Sequence, residues 1–262
     1  MARIKPSRRK VAGSAKAAAL PRKSEAQKAR AAEILRELRR HYPDAHCELN
    51  FTSPHELLIA TILSAQATDV AVNKATPALF KAFPTPADYV RATPQQIEPY
   101  VRSLGFFRMK AKAIHGAMTT ICENFGGKVP ETMDELLSLR GVARKTANVV
   151  LGNAFARHEG VVVDTHVIRL VKRLGLSKHT DPRKIELDLM ALFPRDSWTM
   201  LSHMLIFHGR RACRARGALC DQHPLCAKYC SNAKAAGKSP RGRGRSVRRS
   251  VGRAAHRHNV PA

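Results

Sequence analysis

Leu136-Leu137-Ser138-Leu139-Arg140-Gly141-Val142-Ala143-Arg144-Lys145-Thr146-Ala147-Asn148-Val149-Val150 joins two apolar runs through a glycine turn, and the second run opens on basic residues. Arg140–Arg144 form the turn, and Lys145 stands at the start of the helix that follows it. A turn of this kind points successive backbone N–H groups outward. Together with the helix N-terminus they make a site for phosphate, here at Gly141, Val142, Ala143 and Arg144. Farther on, Val161-Val162-Val163-Asp164-Thr165-His166 brings Asp164 to the start of another helix. An amine beside a captured phosphate, with a carboxylate near it, suits covalent attack on a sugar carbon. The combination points to an enzyme that acts on nucleic acid.

Each residue also has a plain role. A lysine in the first turn of a helix is ordinarily just solvated, and the helix dipole slightly disfavours its charge. The same disfavour helps a nucleophile, because the attacking species is the neutral amine; desolvation or a neighbouring cation such as Arg144 supplies the rest. Asp164 is an N-cap for the helix that begins at Thr165, and a capping carboxylate can still face the groove that holds Lys145. There it would stabilise positive charge as a glycosidic bond breaks. Gln66 lies in the loop Leu63-Ser64-Ala65-Gln66-Ala67-Thr68-Asp69. A loop glutamine is ordinarily a turn residue, but in an enzyme that flips bases its amide suits the vacated stack. Phe106 and Phe107 follow Gly105 at a second turn, where an apolar tip can wedge into a duplex.

The net charge of +26 on 262 residues agrees with a polyanionic partner. Residues 1–24 carry eight Lys/Arg and residues 231–262 carry nine, with no acid in either stretch. Both are expected to be disordered arms, since low hydrophobicity and like charge cannot offset the entropy of folding. Arg241-Gly242-Arg243-Gly244-Arg245 resembles a backbone-binding tract. No apolar run approaches the length of a membrane span. The N-terminus makes a poor secretory signal, although its Arg/Ser/Ala-rich, acid-free composition leaves an organellar transit peptide open.

Helix-start signals recur while strand signals are scarce. Ser53-Pro54-His55-Glu56 reads as a capping box with proline at the first helical position, opening Leu57–Gln66. Thr93-Pro94-Gln95-Gln96 repeats the device, Thr132–Glu135 does so without proline, and Thr85-Pro86 and Asp181-Pro182 add two more starts. Apolar faces follow at helical spacing: Leu57, Ile59, Ile62, Leu63 in one segment and Leu187, Leu189, Met190, Leu192, Phe193 in another. Only Val161–Val163 looks strand-like. The fold is expected to be all-α, with about ten short helices.

Four of the six cysteines, Cys213, Cys220, Cys226 and Cys230, fall within eighteen residues. In a chain without a secretion signal they read as a metal site rather than disulfides. Thiolate ligation suits iron–sulfur or zinc, and the absence of paired C-x-x-C knuckles favours iron–sulfur. His223, between Cys220 and Cys226, is a reserve ligand. Cys47 and Cys122 read as inert packing residues, and Trp198, His203 and His208 as core or interface residues of one helix.

At these residues the chain resembles the endonuclease III family, bifunctional DNA glycosylases with a helix–hairpin–helix motif. The resemblance runs from about Ala26 to Cys230 and includes Glu48–Thr76, Gly141–Leu151, Val161–Leu170 and the His208–Cys213 entry to the cysteines. It implies two helical domains, a six-helix barrel and an iron–sulfur domain built from both chain ends, with the groove between them. The boundaries expected are 47–157 for the barrel, 25–46 with 158–232 for the other domain, and basic arms at 1–24 and 233–262. The resemblance implies Lys145 as Schiff-base nucleophile, Asp164 as catalytic aspartate, Gln66 in the gap left by the flipped base and Phe106 at a second intercalating loop. It further implies a [4Fe–4S] cluster on the cysteines. The partner would be double-stranded DNA with oxidised pyrimidines or abasic sites, the enzyme a monomer, and its place the bacterial cytoplasm at the nucleoid.

The chain departs from the family pattern at three points. Arg140 replaces a proline and Ala143 a frequent glycine; the segment between Lys145 and Asp164 is one residue longer than in the family; and the cysteines read C-x6-C-x5-C-x3-C rather than C-x6-C-x2-C-x5-C. Two rivals stand beside the bifunctional enzyme: a monofunctional adenine- or alkyl-base-removing branch, which lacks the lysine, and a non-catalytic DNA-binding protein that keeps the fold.

Overall fold

A computed structural model describes residues 19–216 and 222–231. The arm residues before 19 and after 231, the basic tract at 241–245 and Cys220 lie outside the described residues. Within them the chain forms twelve α-helices, one 3-10 turn and no strand. In order they are α1 Glu25–His41, α2 Pro54–Leu63, α3 Asp69–Ala82, α4 Pro86–Arg91, α5 Pro94–Val101, α6 Phe107–Phe125, α7 Met133–Leu137, α8 Arg144–Ala154, α9 Thr165–Arg173, α10 Pro182–Leu192, α11 Trp198–Arg211 and α12 Pro224–Tyr229.

The starts follow the capping signals. Thr93 and Thr85 form reciprocal capping boxes with Gln96 and Asp88, and Thr132 and Asp181 cap α7 and α10. Ser53 caps α2 through the Glu56 amide, but the Glu56 carboxylate turns to the amide and hydroxyl of Thr52 instead of closing a box with Ser53. Val161–Val163 forms no strand. The Val162 amide donates to Ser202 Oγ at 2.9 Å, which pins this segment to α11 and delivers Asp164 to the start of α9.

Two apolar clusters form. One is built from α2–α8, with α2 at its centre: every residue from Leu57 to Leu63 is buried, so this helix is apolar all round and not one-faced. The other gathers α1 with α9–α12, bringing the two ends of the described chain together. α10 departs from its expected face, because two carboxylates, Glu186 and Asp188, are buried on it while Leu187 is only half-buried. Each is paired, as a buried charge must be. Glu186 takes Arg144 Nε at 2.7 Å, Arg183 Nη1 at 2.6 Å and Asn148 Nδ2 at 2.8 Å, which ties α10 to the start of α8 across the two clusters. Asp188 accepts from Ser177 Oγ at 2.6 Å and pairs with Lys23, so one of the N-terminal cations is part of the fold.

Candidate active site

The hairpin that opens α8 shows why its turn needs glycine. Gly141 has φ +79°, and a Cβ there would stand 2.8 Å from the Ala113 Cβ on α6. Arg140 lays its stem across Gly116 of α6, where an added Cβ would meet Arg140 Cδ at 2.8 Å. The departure at this position thus has a packing partner. Val142 is buried and its amide donates back to Leu139 O at 3.2 Å, which closes the turn. Ala143 is the N-cap of α8 and offers no side-chain cap. Arg144 turns its guanidinium to Glu186 and is not left as a bare cation beside Lys145.

Lys145 is in the first turn of α8, exposed, and its amine forms no hydrogen bond or ion pair among the described residues. It lines an inner pocket together with Asp69, Asp164, Asn153, His203 and Arg210. The pocket lies where the two clusters meet and opens into a wider groove that includes Gln66, Lys145, Asp164, His166 and Arg210. Asp164 caps α9, its Oδ1 accepting from Val167 N at 2.8 Å, while its carboxylate also lines the pocket. Cap and pocket wall are one residue.

Asp69 was not singled out in the sequence. Following the Thr68 N-cap, it reads as an ordinary acid in a first helical turn. In the fold, burial pushes its carboxyl up and Lys145 opposes that; Asp164 adds to it and His166 opposes it, so all four groups share one field. Arg210 Nη2 reaches Asp69 Oδ2 at 2.8 Å and its other amine pairs with Glu48. His203 Nε2 donates to Asn153 Oδ1 at 2.8 Å, and burial pushes its imidazole down to about 4. Cys47 packs against the larger cluster as expected and also lines the pocket, with burial pushing its thiol up.

Gln66 and Phe106 share an unusual backbone. Both are non-glycine residues in the left-handed region, at φ 54° and 58°, and both are exposed, Phe106 to 64%. Such conformations cost energy and are held only by surrounding structure. Here they carry an amide and a phenyl ring into solvent at two loop tips, while Phe107 packs on the larger cluster.

The cysteine end of the chain forms a second polar site at the far end of α11. His208 is fully buried, and burial, with help from His223, pushes its imidazole down to about 3. Its Nε2 stands 3.2 Å from Cys226 Sγ, and the ligand atoms of His208, His223 and Cys226 lie within 4.8 Å of one another. Cys213 hydrogen-bonds Cys226, and this bond and Arg173 Nη1, 3.0 Å away, hold its thiol down at about 5 against burial. Cys230 is buried in the same cluster without joining the group. A cubane cluster calls for four thiolates set apart around it. The described residues instead bring two imidazoles and one thiolate to the spacing of a single ion, so they fit a four-thiolate cluster poorly. His208, taken from sequence as a packing residue, is the surprise. Its signal was its position five residues before Cys213, on the same helix end.

A family model described as "HhH-GPD superfamily base excision DNA repair protein" matches residues 59–195. Endonuclease III of Synechocystis is 53% identical over 216 residues, covering 82% of this chain and 98% of that protein. A solved non-covalent endonuclease III–DNA complex superposes with a TM-score of 0.76 at 41% identity, covering 80% of this chain and 98% of the other. A trapped endonuclease III–DNA covalent intermediate gives 0.76 at 40%, covering 80% and 99%. Among the described residues no helix is long and apolar enough to cross a membrane. With its hairpin, its paired clusters and these likenesses, the chain belongs to the endonuclease III family of helix–hairpin–helix base excision DNA repair proteins.

Proposed function

We propose that the protein is a bifunctional DNA glycosylase and abasic-site lyase that removes oxidised pyrimidines from double-stranded DNA and nicks the strand. The observation that carries this is the free amine of Lys145 in one pocket with the Asp164 carboxylate. The flipped nucleotide enters the inner pocket, most easily where damage has weakened its stacking. The uncharged Lys145 amine attacks C1′, and the bond from C1′ to the base breaks, its electron pair leaving with the base. Asp164 stabilises the positive charge that develops on the sugar and assists proton transfers. Ring opening gives an imine between Lys145 Nζ and C1′. Loss of a C2′ proton then expels the 3′ phosphate in a β-elimination, and water hydrolyses the imine to free the lysine. A trapped covalent intermediate in a similar protein supports the covalent route.

DNA contacts are assigned by the same proposal. The uncapped start of α8, with the backbone of Gly141, Val142, Ala143 and Arg144, takes a phosphate; since the Val142 amide is engaged in the turn, Ala143 and Arg144 supply the free N–H groups. Gln66 fills the space left by the flipped base and Phe106 wedges the opposite side. Residues 47–157 form the barrel domain and residues 25–46 with 158–232 the other, a division that the two apolar clusters support. The basic residues before Lys23, which pairs with Asp188, and residues 233–262 add backbone affinity. The enzyme acts as a monomer in the bacterial cytoplasm at the nucleoid. The family resemblance implies a [4Fe–4S] cluster on Cys213, Cys220, Cys226 and Cys230, which the described residues fit poorly, and no step of this chemistry passes through it.

The test is a duplex carrying one oxidised pyrimidine, incubated with the protein and run on a denaturing gel with and without alkali. Cleavage without alkali, on the 3′ side of the lesion, is expected. Cleavage only after alkali would move the protein to a monofunctional branch, and an intact strand at high protein concentration would leave a DNA-binding protein without catalysis.

A further inference from the structure

We propose that the cysteine end of this chain holds a single tetrahedral zinc ion on His208, His223, Cys226 and Cys213, in place of a four-thiolate cluster. Three of these ligands already stand at the spacing that one ion requires. Zn–N and Zn–S bonds of about 2.0–2.1 Å and 2.3 Å at tetrahedral angles put nitrogen and sulfur about 3.5 Å apart. The His208 Nε2 to Cys226 Sγ separation is 3.2 Å. Cys213, hydrogen-bonded to Cys226, is the further donor assigned to complete the set. Two imidazoles and two thiolates are a donor set that zinc takes readily.

The surroundings argue for the same site independently. The Tyr42 hydroxyl oxygen touches the outer nitrogen of both imidazoles, His208 Nδ1 at 2.7 Å and His223 Nε2 at 3.1 Å. That oxygen has two lone pairs, so both outer N–H groups can donate to it. Both inner nitrogens then present lone pairs: His208 Nε2 toward Cys226, and His223 Nδ1. The latter is a buried atom with no hydrogen-bond partner, although buried polar atoms are rarely left unpaired. An ion between the two inner nitrogens and the sulfurs accounts for it. A shared hydroxyl that fixes the tautomers of two histidines is the outer support metal ligands ordinarily have. Two thiolates balance the ion and leave a neutral centre. The ion would tie the end of α11 to the start of α12, with Tyr42 at the end of α1 holding both imidazoles from behind.

The experiment is metal analysis of the full chain, purified without chelator, with its absorption spectrum and zinc affinity by competition with a chromophoric chelator. One zinc per chain and no iron–sulfur absorption are expected. Tyr42→Phe, which keeps the packed ring, should weaken zinc about 10–100-fold, and His223→Ala should weaken it at least as much. Cys230→Ala should leave zinc content unchanged. Iron with acid-labile sulfide, absent from Cys230→Ala and kept in His223→Ala, would overturn the proposal in favour of a cluster. So would a chain that retains no metal and gains no thermal stability from added zinc. None of these readouts depends on DNA chemistry, so they are separate from the test of the glycosylase.

Discussion

α11 runs between two polar sites that the molecule treats in opposite ways. Along one side of the helix, Ser202, His203 and Arg210 wall an open pocket in which Lys145 has no partner among the described residues. At its end, His208 sits in a closed network where Tyr42, Cys226 and His223 are within bonding range. A reactive amine has to stay uncommitted until substrate arrives, whereas a structural ion needs donors arranged beforehand. The first region matches the family pattern closely in sequence and the second departs from it. This fold therefore holds its catalytic groove through packing and buried ion pairs, and can change the chemistry of its distal staple separately.

That division is tested most severely at Asp164. Asp164→Asn keeps an N-cap but removes the charge, so base release should slow about 10²–10⁴-fold with thermal stability almost unchanged. Equal damage to stability and rate would reduce Asp164 to a cap. A second effect concerns the middle of α11. His203 is held neutral at about 4 in the fold against 6.5 in an unfolded chain. The unfolded state therefore binds the proton first, and stability is complete above pH 6.5 and falls away as pH drops from there toward 4, by about 3 kcal/mol. Urea unfolding at several pH values, beside His203→Gln, should show the wild-type advantage shrink over that window; a pH-independent difference would contradict it. Gly141→Ala comes next. Its positive φ and the clash with Ala113 should cost about 2 kcal/mol and weaken DNA binding, while leaving zinc content unchanged. Loss of metal in that variant would mean the two regions are not independent. The arms should matter least: deleting residues 232–262 should flatten the dependence of log affinity on log salt by roughly 0.9 for each phosphate no longer neutralised, with lesion preference intact.

The all-α fold and the starts of its helices were legible because caps and prolines act locally. Thr85, Thr93, Thr132 and Asp181 do in the fold what their spacing says. The glycine turn and the capping role of Asp164 were legible for the same reason. What escaped were groups whose meaning depends on partners far along the chain. Asp69 reads as a first-turn acid until α11 supplies Arg210, 141 residues away. Glu186 breaks an apolar face until Arg144 and Asn148 meet it from another cluster. His208 reads as a packed histidine because nothing local says that Tyr42, 166 residues earlier, will hold its outer nitrogen. The cysteine spacing was read as an iron–sulfur site, and that His208 and His223 would stand with Cys226 was not legible, because the fold alone brings them together.

Whether Lys145 is the nucleophile is decided most directly by borohydride trapping on a duplex carrying one oxidised pyrimidine, with wild-type protein beside Lys145→Ala. Reduction of the imine fixes enzyme to DNA as a secondary amine, which a denaturing gel resolves. A covalent adduct with the wild type and none with Lys145→Ala is expected. An adduct that survives in Lys145→Ala would show that another amine does the chemistry, and would contradict the assignment of Lys145.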